Sequence, residues 1–141
     1  MTEPQQLYDR DFYLWTLQTA EALRAGRVKD VDLEHVAEEI EDMGKRNARE
    51  LESRVTQILE HLLKVRLAKG VILEYNQGAW QASILRQRNE LDALLQESPS
   101  LRQRIGPDFI RKCYRHAAAV VAAEYKVDTP EECPFAAEQI L

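Results

Sequence analysis

From Leu33 to Val65 the apolar residues Leu33, Val36, Ile40, Met43, Leu51, Val55, Ile58, Leu62 and Val65 recur at steps close to three and four, with Asn47 holding a polar place in the series. That period puts them on one side of an α-helix, whereas a strand would send alternate residues to opposite faces. The spacing predicts a single amphipathic helix from Leu33 to about Lys69, roughly 55 Å long at about 1.5 Å per residue. Asp32 stands where an N-cap belongs. Gly44, inside the helix, costs about 1 kcal/mol against alanine and marks a bend or a close crossing by another helix.

A long helix with one apolar stripe needs other helices to cover it, and the rest of the chain reads as their source. Pro4, then Leu7, Tyr8, Phe12, Trp15, Ala20 and Leu23, predict a first helix ending near Gly26. Gly70 to Gly78 (GVILEYNQG) breaks the pattern and is expected to be an apolar loop, packed down or protruding as a partner-binding tip. Trp80, Ile84, Leu91 and Leu95 trace a third helix, Ser98-Pro99 opens a short fourth segment, and Pro107 starts a fifth carrying Phe109, Cys113, Tyr114, Ala117 and Val121. Thr129-Pro130-Glu131-Glu132 repeats the cap signature before Cys133-Pro134-Phe135 and a last turn toward Leu141. No period-two strand pattern competes. The fold class is all-α, a helical bundle built around one long central helix with short terminal helices, in a single domain over 1–141.

A chain of 141 residues with 45% hydrophobic and 30% charged residues can bury a core without staples. No apolar run approaches the roughly 20 residues of a membrane span, and MTEPQQLYDRDF has neither the basic start nor the apolar centre of a secretory signal. Two cysteines do not make a disulfide framework, so the expected location is the reducing cytoplasm. A net charge of −5 disfavours general nucleic-acid binding, and the basic patch Arg102, Arg104, Arg111, Lys112 and Arg115 lacks the interleaved aromatics of such surfaces. The charge is unevenly spread: residues 30–60 carry net −6 and residues 61–116 net +5. Those segments are expected to face each other within the fold or between two molecules, the former being the plainer arrangement.

The stretch 32–44 (DLEHVAEEIEDMG) raises the question of metal binding. With Ile40 at the centre of the stripe and 100° per residue, Glu34, Glu38 and Asp42 fall on the wet side, and His35 also points away and receives no chemistry. Glu39, Glu50, Arg54, Gln57 and His61 instead line a polar edge beside the stripe. Glu50 with Arg54 and Gln57 with His61 are i, i+4 pairs, and Arg86, Gln87 and Arg88 are the cross-helix partners expected for them. The plain reading is a buried polar network that fixes helix register. The functional one is an interhelical site in which Glu39, Glu50 and His61 hold a divalent metal or act as acid and base. The Glu-x-x-His spacing of di-iron bundles precedes none of the three histidines, and Cys113, His116 and Cys133 make only a thin case for zinc. No metal and no cofactor is assigned.

Taken in order, YDRDFYLW, DLEHVAEEIEDMGKRNARELESR, HLLK at 61–64, Trp80 with Gln87-Arg88, SPSL at 98–101 and Cys133-Pro134 resemble the bacterial family called domain of unknown function 29, over nearly the whole chain. The resemblance implies an all-helical domain found in cyanobacteria and proteobacteria, without an established activity, substrate or partner. Glu38, Glu39, Glu41, Met43, Gly44, His61, Trp80 and Arg88 match the family's pattern, and the apolar 70–78 segment departs from its commoner charged form. The expected role is a non-catalytic protein-interaction module, self-association included, acting away from membranes. The alternative is a metal-dependent hydrolase or redox protein built on the interhelical Glu/His edge.

Overall fold

The computed structural model describes residues 4–141, so the reading of the first three residues as part of a leaderless start lies outside it. The described residues form helices and connecting turns without a strand: α1 (Pro4–Arg10), α2 (Phe12–Arg24), α3 (Leu33–Leu67), α4 (Gly70–Glu97), α5 (Pro107–Tyr125) and α6 (Ala137–Ile140). Short 3-10 turns at Val28–Asp30 and Pro99–Arg104 join α2 to α3 and α4 to α5. The chain divides into two compact units, one ending at Arg46 and the other spanning Asn47–Leu141.

In the N-terminal unit the expected single first helix is two. Asp11 leaves helical geometry (φ −148°, ψ 84°) and its carboxylate accepts the Leu14 N–H at 3.0 Å, so it caps a new helix instead of continuing the old one. α2 stops in a Schellman arrangement: Gly26 takes φ +75°, its N–H reaches Leu23 O, and the Arg27 N–H reaches Ala22 O at 2.9 Å. Leu7, Trp15 and Ala22 are buried. Asp32 caps α3 as expected, accepting the His35 N–H at 3.3 Å.

The C-terminal unit holds the main core. Leu51, Val55, Ile58, Leu59 and Leu63 of α3, all fully buried, pack with Ile84, Leu91, Leu94 and Leu95 of α4, Cys113, Tyr114, Ala117 and Val121 of α5, and Ile140 of α6. α3 and α4 are joined only by Ala68 and Lys69, with Lys69 extended and Gly70 at φ +60°, a conformation open to glycine at little cost. The expected 70–78 loop is therefore helix. Gly78 sits inside it without breaking it, and the two glycines that suggested a loop bracket the first two turns of α4. Those turns do not pack down: Val71 and Tyr75 are 77% and 86% exposed. The Thr129-Pro130 cap signature starts no helix; the Pro130 carbonyl instead accepts the Tyr114 hydroxyl at 2.5 Å, which holds the C-terminal segment on α5.

The stripe that predicted α3 meets two environments. It is fully buried at Leu51, Val55 and Ile58 but open at Leu33 (56% exposed), Ile40 (63%) and Met43 (60%). Gly44 does not interrupt the helix, and no close crossing occurs there, since a Cβ built on it meets nothing within 4 Å. Truncating Leu59 to alanine should cost about 2–5 kcal/mol of unfolding free energy, because it leaves a cavity in the core. Met43→Ala, on the same helix, should stay within about 0.5 kcal/mol. Urea titrations of both variants check the contrast, and equal losses would contradict it.

Candidate functional site

The polar edge divides into two sets of contacts. In the C-terminal unit Arg54 is the hub: one guanidinium nitrogen donates to Gln87 Oε1 at 3.0 Å, and the other reaches Glu50 at 3.3 Å and Glu90 at 3.8 Å. Gln87, the buried polar residue of α4, donates to Gln57 Oε1 at 2.7 Å, and Gln57 in turn donates to Ser53 Oγ. His61 Nδ1 is 2.7 Å from the Gln57 carbonyl of its own helix. Of the three α4 residues expected to complete the edge, Gln87 enters it. Arg88 donates to the Gln139 carbonyl of α6, and Arg86 is exposed. The network matches a register lock: sliding α3 against α4 by one residue would strand the buried Gln87 amide and the Arg54 charge.

Glu39 takes its partners elsewhere. It accepts the Tyr8 hydroxyl at 2.5 Å on Oε1, and Arg46 lies 3.9 Å from Oε2. Tyr8 stacks on His35 with ring centroids 3.9 Å apart and an interplanar angle of 17°, and His35 Nδ1 hydrogen-bonds Asp32. Phe12 and Trp15 meet the edges of Tyr8, closing an aromatic cluster. His35, given no role from its place on the helical wheel, thus joins α1 to the first turn of α3. Its signal was the Asp-x-x-His spacing at the helix start, where one carboxylate caps the backbone with one oxygen and holds the imidazole with the other.

The charges in this cluster shift together. The Asp32 hydrogen bond raises the His35 pKa, and the same bond lowers that of Asp32. The hydrogen bond to Glu39, then desolvation, pushes the Tyr8 hydroxyl up to about 12.

Among the described residues no group of three or more His, Cys, Asp or Glu is placed to hold a metal ion. Cys113 is buried and free, its thiol directed at the Glu52 carbonyl and its pKa raised by burial; Cys133 is free and faces the Phe135 carbonyl. His116 lies on an open polar groove with Arg49, Ser53 and Glu60, the last with its pKa raised by burial. Lys112 of the basic patch pairs with Glu52 at 3.4 Å, linking the acidic and basic segments within the C-terminal unit.

The apolar arc of α3 itself remains open. Leu33, Val36, Ala37, Ile40, Met43 and Gly44 lie within about 60° of its centre. All but the half-buried Val36 are exposed, with Glu34 and Glu41 along one border. An uncharged arc of this length flanked by carboxylates is a candidate docking surface of the N-terminal unit, which also exposes Phe12, Tyr13 and Leu17 on α2.

The family model described as "Domain of unknown function DUF29" matches residues 7–141, and the chain belongs to that family. No curated protein and no solved structure matches.

The His35 pair carries a signed pH dependence. A raised histidine pKa contributes stability that is complete below the ordinary value of about 6.5 and lost as pH rises through the folded value. The lowered Asp32 contributes above about 3.8–3.9 and loses its share as pH falls through its own folded value. The pair is therefore strongest in mildly acidic solution. An NMR titration should find His35 above 6.5 and Asp32→Asn should bring it down; a wild-type value at or below 6.5 would contradict the pairing.

Proposed function

We propose that this member of the DUF29 family is a non-catalytic protein–protein interaction module of the bacterial cytoplasm. Its docking surface is the open α3 stripe between Leu33 and Met43. The observation that carries this reading is the contrast along one helix: the same stripe is fully buried at Leu51, Val55 and Ile58, yet Ile40 and Met43 are 63% and 60% exposed. Leaving large apolar side chains in water forgoes about 1.5–3 kcal/mol each relative to burial, and contiguous exposed apolar surface marks interaction sites. The two free cysteines fit a reducing compartment. No helix among the described residues is long and apolar enough to cross a membrane.

A photo-crosslinking amino acid placed at Met43 should yield discrete adducts in cells that express the protein. Ile40→Asp should remove them while leaving the melting temperature unchanged, because Ile40 contributes nothing to the buried core. Adducts that persist in Ile40→Asp, or a protein that yields none, would refute the reading.

A further inference from the structure

Another open apolar surface lies on α4, beginning in the segment that reads from sequence as a loop. Val71, Ile72, Tyr75, Ala79 and Ala82 lie within about 100° of arc on that helix, at 100° per residue, and all are exposed. Gly78 lies beside them, and a Cβ built there meets nothing within 4 Å. No charged residue occurs between Tyr75 and Leu85, and Leu85 at the far end is 61% exposed. Exposed Lys69 borders this lane at one end and exposed Arg86 at the other, with Glu74 the acid near its start.

The α3 stripe and the α4 lane complement each other in shape and charge. The stripe presents large side chains, Leu33, Ile40 and Met43; the centre of the lane is small, Gly78, Ala79 and Ala82, and admits them as ridges into a shallow groove. The stripe is bordered by Glu34 and Glu41, the lane by Lys69 and Arg86. The stripe, about 15 Å from Leu33 to Met43, fits within the lane, about 21 Å from Val71 to Leu85. Two stripes facing each other would oppose carboxylate to carboxylate, and two lanes would oppose cation to cation, arrangements that like-charge repulsion penalises.

We infer that the occupant of each surface is a second copy of this chain, the α3 stripe of one copy packing on the α4 lane of the next. This rests on reading the stripe as an interaction surface and adds the partner and the contact. Such a contact is heterologous: it closes into a ring or a reciprocal pair, or else propagates. A single helix face per side is small beside the standard of about 800 Å² per partner, so the association falls on the order of micromolar and weakens with salt.

Sedimentation equilibrium on three proteins tests it: the wild type, Ile40→Asp in the stripe and Tyr75→Asp in the lane. Both replaced side chains are exposed, so the melting temperature should hold. The wild type should show a mass that rises with concentration, and each variant should weaken association by about tenfold or more. Mixing the variants is the decisive step, because Ile40→Asp keeps an intact lane and Tyr75→Asp an intact stripe. An equimolar mixture should recover association that neither shows alone. Association undiminished in either variant, or no recovery on mixing, would overturn the contact. A wild type still monomeric at about 0.5 mM would overturn self-docking. The crosslinks at Met43 then separate the two ideas: adducts to a different protein would keep the stripe as a docking site, and none would remove both. Binding of the monomer to anionic phospholipid vesicles through the lane would also overturn the inference.

Discussion

An α-helix fixes the direction of every side chain once its phase is set, and α3 keeps one phase for 35 residues. Its stripe cannot turn away from water where covering helices are missing. From Leu51 to Ile58 the stripe is enclosed by α4, α5 and α6, and Leu62 and Val65 pack against the same core. From Leu33 to Met43 it is not, although α1 is bonded to α3 through Tyr8 and Glu39. Glu39 and His35 lie beside the stripe rather than in it, so the aromatic cluster closes the flank of α3 and leaves the apolar arc open. Exposure here follows from which face α1 uses.

The opposite arrangement holds in the C-terminal unit, where the polar edge is drawn against α4 and the apolar arc is enclosed. Arg54 is only 28% exposed and shares itself among Gln87, Glu50 and Glu90, and the Gln87 amide uses both ends, accepting from Arg54 and donating to Gln57. Such a chain contributes little net stability against a well-packed apolar alternative, but it penalises every other register of α3 on α4. With only two residues in the α3–α4 connection, the turn and the network constrain the same registration from different positions along the hairpin.

Features governed by local chemistry were legible in the sequence: the Asp32 cap, Pro99 and Pro107 at first turns, and the α3 boundaries to within two residues. What failed were judgements in which two local signals compete. Asp11 lies among Tyr8, Phe12 and Trp15, whose spacing suits one continuous helix, yet its carboxylate stabilises a restart at Phe12 by accepting the Leu14 N–H. Gly70 and Gly78 look alike as loop markers, but one has φ +60° and makes the turn, while the other is an ordinary helical residue. Glu39 shares a wheel position with Glu50 and Gln57, and a helical wheel says nothing about which partner each one meets. His35 was missed for the same reason: its place follows from α1, which arrives from a distant part of the sequence.

The position of Glu39 ties the aromatic cluster to the open stripe. Its Oε1 is held by Tyr8 and its Oε2 faces Arg46, so the carboxylate is committed to the flank and does not intrude on the apolar arc between Val36 and Met43. Tyr8 is in turn set by its stack on His35, and His35 by Asp32. Asp32, His35, Tyr8 and Glu39 thus form one chain of contacts along the flank of α3, which keeps a carboxylate beside the apolar arc paired.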